Sequence, residues 1–146
     1  MAVKNYPVGT HIKGPLKQGA GSMRLSTDVG GISAAKTLTA DESNGQHYIL
    51  DGGTGVAVTL PAATKGWSCK FTVGAAFTTD FVITAPAAIL EGCILEAGAV
   101  QTVAAATTLT LEDGVENLGD YLELWSDGTS IFVTGNFLTA ASLTPA

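Results

Sequence analysis

From Lys36 onward, apolar and polar residues alternate in short runs cut by Gly, Asp and Asn, and no amphipathic period of helix length occurs anywhere. Lys36-Thr-Leu-Thr-Ala40 alternates, Asp41-Glu-Ser-Asn-Gly45 reads as a turn, and Gln46-His-Tyr-Ile-Leu-Asp51 is rich in strand formers. Gly52-Gly-Thr-Gly55 then turns the chain into Val56-Ala-Val-Thr-Leu60, which Pro61 stops. In Trp67-Ser-Cys-Lys-Phe-Thr-Val73 the alternation puts Trp67, Cys69, Phe71 and Val73 on one face and Lys70 on the other. Short strands follow at Phe81–Thr84, around Ile89-Leu90 and Ile94-Leu95, at Val100–Val103 and at Thr107–Leu111.

The last pair gives the sharpest signal. Tyr121-Leu-Glu-Leu-Trp125 and Ser130-Ile-Phe-Val-Thr134 flank Ser126-Asp-Gly-Thr129, a favourable hairpin turn. Leu122 and Leu124 share one face of the first strand, and Tyr121, Glu123 and Trp125 share the other. Both faces carry large apolar groups, as expected between two sheets or at a subunit contact. Ala104-Ala-Ala106 has helical propensity, but its β-branched flanks make it a loop or strand end. Strands at this spacing predict an all-β fold, a compact β-sandwich or barrel-like body with an extended N-terminal arm. The arm is assigned to residues 1–35, the body to 36–136 and an extended C-terminal tail to 137–146.

Charge supports that division. The first 36 residues hold Lys4, Lys13, Lys17, Arg24 and Lys36 against Asp28, a net +4. The remainder holds twelve acids against Lys65 and Lys70, a net −10 within the overall −6. The front is also broken by Gly9, Gly14, Gly19, Gly21, Gly30, Gly31, Pro7 and Pro15, and no apolar period runs through it. A segment of this kind gains little by folding alone and is expected to lie on a partner. Its anchors would be Tyr6, Val8, Ile12, Leu16, Met23 and Leu25 beside the basic residues. These suit an extended segment that lies in grooves or adds a strand to a neighbour.

With 46 % hydrophobic and 14 % charged residues, the chain is unusually apolar, much of it Ala and Val. A small body with so little charge has apolar surface to cover, which predicts a homo-oligomer. The start, Met-Ala-Val-Lys-Asn-Tyr-Pro, lacks the apolar stretch of about 7–15 residues of a signal peptide. No apolar run approaches the roughly 18 residues of a spanning helix, so no membrane partner is expected. Cys69 and Cys93 make no disulfide framework and no metal-ligand spacing, and read as small buried strand residues in a protein made in a reducing cytoplasm.

Catalytic chemistry has little to stand on in this sequence. His11 and His47 are the only histidines, and His47 and Asp51 on one strand lie more than roughly 12 Å apart at about 3.3 Å per residue. No G-x-S-x-G elbow occurs. The acids Glu112, Asp113, Glu116, Asp120 and Glu123 are dense enough to raise a glycosidase pair, but they sit at strand ends and read as a solvated rim. Gly52-Gly-Thr-Gly55 fits neither a dinucleotide fingerprint nor a Walker loop, and no calcium loop spacing occurs. Basic residues spread without aromatic interleaving, beside an acidic body, are poor equipment for nucleic acid. The sequence therefore predicts no enzyme, no cofactor and no nucleic-acid partner.

One resemblance bears on function. Its carriers are Leu38-Thr-Ala-Asp-Glu-Ser43, Tyr48-Ile-Leu-Asp-Gly-Gly53, Val58-Thr-Leu-Pro61 and Gly66-Trp-Ser-Cys-Lys-Phe-Thr-Val73. Gly119-Asp-Tyr-Leu-Glu-Leu-Trp-Ser-Asp-Gly-Thr129 and Phe132-Val-Thr-Gly135 complete it. Over about positions 36–136 the body resembles a β-module of bacteriophage virion proteins, particularly the capsid decoration (cement) proteins of tailed phages, including those of cyanophages. Similar modules also occur in tail and fibre proteins, and the matching residues are strand and turn residues that report fold. The resemblance implies a trimer on the capsid exterior that ties neighbouring major capsid protein subunits together. The arm would supply Lys4, Tyr6, Ile12, Lys13, Leu16, Lys17, Met23, Arg24 and Leu25 as contacts. The alternative is a carbohydrate- or receptor-binding module of a tail or fibre protein, in which Trp67, Trp125, Tyr48 and Tyr121 would stack on sugars.

Overall fold

A computed structural model describes residues 31–51 and 56–146. The chain forms an all-β sandwich of two mixed sheets. In chain order the strands are β1 (Gly31–Ile32), β2 (Lys36–Thr37), β3 (Gln46–Leu50), β4 (Ala57–Thr59), β5 (Ser68–Val73) and β6 (Phe81–Thr84). They continue as β7 (Leu90–Glu96), β8 (Ala99–Ala106), β9 (Thr108–Leu111), β10 (Tyr121–Ser126), β11 (Ile131–Phe137) and β12 (Leu143–Pro145). The larger sheet has the order β1-β3-β5-β10-β11-β7-β8 and the smaller β12-β9-β6-β4-β2.

The strands from β1 to β7 are wound between the two layers. Odd-numbered strands from β1 to β7 lie in the larger sheet and β2, β4 and β6 in the smaller, so each strand crosses to the opposite layer. Returning to a sheet after a full circuit brings the chain back in the same direction. That is why β1–β3, β3–β5, β2–β4 and β4–β6 all pair in parallel. The β10–β11 hairpin is then wedged between β5 and β7, antiparallel to β5 and parallel to β7.

Alternation along each strand sends one set of side chains into the space between the layers. Cys69, Phe71 and Val73 from β5, Leu122 and Leu124 from β10, and Ile131, Val133 and Phe137 from β11 are buried there. Val58, Phe81, Ile83, Leu109, Leu111 and Leu143 meet them from the smaller sheet. Trp67 is buried just before β5, and its indole Nε1 donates to Ser43 Oγ at 2.9 Å. Ser43 in turn donates to the Thr39 carbonyl at 2.6 Å, so the tryptophan is tied to a single helical turn, α1 (Ala40–Ser43). That turn replaces the plain turn expected at 41–45. Its N-cap is Thr39, whose hydroxyl accepts from Glu42 N at 3.4 Å and donates to the Glu42 carboxylate at 2.9 Å. The pattern Thr39-x-x-Glu42 is a capping box and was the available signal.

Three stretches are placed more closely by the packing. The sheet begins at Gly31, because Gly31 and Ile32 pair with Ile49 and Leu50 and Ile32 joins the core. Residues 137–146 are built into the body: Phe137 ends β11, and β12 pairs antiparallel with β9 through Leu143, whose side chain is fully buried. Ala104–Ala106 forms the end of β8, one of the two readings the sequence allowed, and there the register with β7 shifts around Glu91 and Ala105 takes a positive φ of 48°.

The acidic rim is also only partly a rim. Asp120 is buried, and its carboxylate accepts from Asn117 N at 2.9 Å and Leu138 N at 3.1 Å. It pins the 117–120 turn to the exit of β11. Glu116 accepts from Phe77 N at 2.6 Å, while Glu112 N bonds the Ser142 carbonyl. These groups stitch loops together rather than converge on one point.

Gly92 marks the tightest approach between strands. Its φ is +143°, and a Cβ there would lie 2.1 Å from the Val133 carbonyl oxygen. Gly92→Ala is expected to destabilise the fold by about 2–4 kcal/mol through strain and backbone collision. Urea unfolding checks this; an unchanged midpoint would contradict the close packing of β7 on β11.

Candidate interaction face

The two outer faces of the sandwich differ in chemistry. On the smaller sheet, register aligns Thr37, Thr59, Thr84 and Thr108 in one row across four strands. The next row runs Ala57, Val82, Thr110 and Thr144. Hydroxyls and β-branched stems of this kind satisfy a solvated sheet face.

The outer face of the larger sheet is different. One row contains Ser68, Trp125, Phe132 and Glu91. A second contains His47, Lys70, Glu123, Thr134, Cys93 and Thr102. A third contains Ile49, Thr72, Tyr121, Asn136, Leu95 and Val100. Trp125 is 45 % exposed, Leu95 41 % and Val100 72 %. Trp125 stacks on Phe132 with ring centroids 5.8 Å apart. These side chains stand on rigid central strands, so the aromatic pair is held in place before any partner arrives.

Between the aromatic and aliphatic rows lies a polar one. Lys70 Nζ is 3.0 Å from the Glu123 carboxylate and 4.3 Å from the centroid of the Tyr121 ring. The cation thereby joins three adjacent side chains, although an ion pair this exposed adds less than about 1 kcal/mol. His47 Nε2 bonds Thr72 Oγ1 at 2.8 Å on the same face. At the hairpin tip, the Asp127 carboxylate accepts from Thr129 N and Ser130 N, which holds its carboxyl below the usual carboxylate range.

Of the four aromatics named for sugar stacking, the structure separates two from two. Trp67 and Tyr48 are core residues, Tyr48 stacking on Phe71 with centroids 5.6 Å apart and carrying Lys36 Nζ 5.0 Å from its own. Trp125 and Tyr121 do share the outer face. The nine arm residues assigned to capsid contact, Lys4 to Leu25, lie outside the described residues, as does Gly52–Gly55. Among the described residues no group of three or more His, Cys, Asp or Glu side chains could hold a metal ion, and no helix is long and apolar enough to cross a membrane.

Sequence reasoning missed Leu95, Val100 and Phe132 as members of this face. The β10–β11 hairpin sets Phe132 across from Trp125, while only the pairing of β7 with β11 and of β8 with β7 brings Leu95 and Val100 into the row of Tyr121. Cys93 is corrected as well: both cysteines are free, Cys69 buried and Cys93 exposed on this face. The reason is parity, since Leu90 and Ile94 take the inward positions of β7.

No protein-family model, no curated protein and no solved structure matches the chain.

The two thiols should differ sharply in reactivity. Burial pushes the Cys69 thiol far up, so almost no thiolate forms there at neutral pH, whereas Cys93 meets solvent. One thiol per chain is expected to react with Ellman's reagent under native conditions and two in urea. Rapid native reaction of both would contradict the buried assignment of Cys69.

Proposed function

We propose that this chain is a structural virion protein that decorates and stabilises a phage capsid. It would bind the outside of the major capsid protein shell, as a homo-oligomer, in the first instance a trimer. The observation that carries this reading is the outer face of the seven-stranded sheet, where a stacked Trp125–Phe132 pair and, across a polar row, the exposed Leu95 and Val100 present large apolar side chains. Exposed apolar area on rigid strands is the property of a surface that meets other proteins. The opposite face, with its threonine rows, suits water. The resemblance of positions 36–136 to phage decoration modules gives this surface a context.

Division of labour follows from charge. The basic front, with Lys4, Lys13, Lys17 and Arg24, is separated in sequence from an acidic body, so the arm would reach acidic or apolar grooves of the shell. Each contact need only be weak, because an oligomer presents several arms at once to a repeating lattice. Synthesis in the host cytoplasm followed by assembly onto the capsid exterior fits this mode. Neither a cofactor nor nucleic acid nor a membrane is required.

The Trp125–Phe132 stack beside Tyr121 also supports a second reading, a carbohydrate- or receptor-binding module of a tail or fibre protein. A flat aromatic platform can stack on sugar rings. Quenching of Trp125 fluorescence by host-surface glycans, lost in Trp125→Ala, would favour it.

Co-sedimentation with empty capsid shells tests the first reading. The truncation should begin at residue 31 so that Ile32 remains in the core. Full-length protein is expected to pellet with shells saturably, and residues 31–146 at least tenfold more weakly at equal concentration. Failure of the full-length protein to pellet would overturn the decoration reading; equal pelleting would remove the arm from it.

A further inference from the structure

Among the described residues the two sheets end in four edge strands, β1 and β8 in the larger and β2 and β12 in the smaller. Three are blunted. β1 and β2 are two residues each, with Lys36 in β2, and β12 is three residues ending in Pro145. Short length, lysine and proline are what keep an edge from recruiting another strand. β8 has none of these. It runs eight residues, Ala99-Val-Gln-Thr-Val-Ala-Ala-Ala106, with no charge and no proline. β7 pairs with it on one side, and among the described residues no strand pairs with the other.

Two details show where an added strand would fit. The register shift confines the regular part of β8 to Ala99–Val103. Within it, Val100 is 72 % exposed, and Gln101 holds a buried side-chain oxygen with no hydrogen-bond partner among the described residues. A buried acceptor left unpaired costs about 1–3 kcal/mol, and a neighbouring strand is a ready source of donors.

The sequence before β1 contains a matching segment. No single period runs through the front, but Ser22-Met-Arg-Leu-Ser-Thr-Asp-Val29 is its longest run without Gly or Pro. In an extended conformation Met23, Leu25 and Val29 would share one side and Ser22, Arg24, Ser26 and Asp28 the other. That is the pattern of a strand with one face buried.

Geometry then decides whose segment it is. The described chain begins at Gly31 in β1, on the opposite edge of the sheet from β8. Six strand steps at about 4.8 Å separate those edges by roughly 29 Å along the sheet. Val29 is joined to Gly31 by a link that spans at most about 7 Å. Even Ser22 could only approach its own β8 with the whole segment pulled straight across the sheet, leaving nothing to pair along it. We infer that the open edge of β8 receives residues 22–29 of a second copy of this chain, added as a strand. Each copy then donates at one edge and receives at the other. A head-to-tail contact of this kind closes into a ring when its rotation permits. Residues 1–21 would remain outside the ring for other contacts. The inference rests on the self-association in the proposed function and not on shell binding.

The test uses full-length protein in a Cys93→Ser background, since Cys93 lies directly across from Thr102. One preparation carries Thr102→Cys; others carry a cysteine at Met23, Arg24, Leu25 or Ser26, which covers both sides of the segment, so that register does not decide the result. Mixed, exchanged and mildly oxidised, the arm variants are expected to form disulfides with the Thr102→Cys chain, identified by mass spectrometry under non-reducing conditions. Residues 31–146, and full-length Val100→Lys/Thr102→Lys, are expected to sediment as monomers that keep the strand signature in circular dichroism and unfold in one cooperative transition. Disulfides only between Thr102→Cys copies would overturn the inference in favour of β8 pairing with itself. Persistence of the full-length oligomer in residues 31–146 would overturn it too, while leaving self-association intact. A full-length chain that is monomeric at all concentrations would overturn both.

Discussion

The structure depends on the burial of alternate side chains between two sheets whose strands come from all parts of the chain. At the centre of the larger sheet, β5 and β10 pair antiparallel and send Cys69, Phe71, Leu122 and Leu124 inward. With about 25 cal/mol per Å² of apolar area removed from water, this layer supplies most of the drive for folding. It also fixes the outer face, because an inward Leu122 and Leu124 force Tyr121, Glu123 and Trp125 outward. The exposed aromatic surface is therefore the reverse side of the core and could not be moved without inverting it.

Polar groups do the secondary work of closing the sandwich. Ser43 seats the Trp67 indole, and Asp120 holds the 117–120 turn against the exit of β11. Each satisfies a backbone or ring N–H that burial would otherwise leave unpaired. On the surface, Lys70 and Glu123 form an ion pair at 3.0 Å.

A sandwich wound from layer to layer also has a particular weakness. Closure into a barrel would remove edges, whereas two open sheets leave four among the described residues. Three of these are short or carry Lys36 or Pro145, and the fourth is a long uncharged strand beside the exposed Leu95 and Val100. Apolar face and open edge meet at β8, so the same corner of the molecule concentrates both of its unsatisfied features.

The sequence by itself determined which residues face inward. Trp67, Cys69, Phe71 and Val73, the parity of β10 and the Asp127-Gly128 hairpin were all legible, because strand alternation and turn chemistry are local properties. Local signals also held the Thr39-x-x-Glu42 cap, although it specifies only one turn of helix. What the tertiary structure alone decided was adjacency. A period of two says that Cys93 and Leu90 point opposite ways, but not that β7 lies parallel to β11, nor that β12 returns to cover β9. Parallel pairing comes from winding between layers, and winding is a matter of which distant strands share a sheet. Asp120 looked like a rim acid for the same reason: Asn117 N reaches it locally, but Leu138 N does so only once β10 and β11 are side by side. Faces, edges and the surface they form together are products of that long-range pairing, which no local pattern encodes.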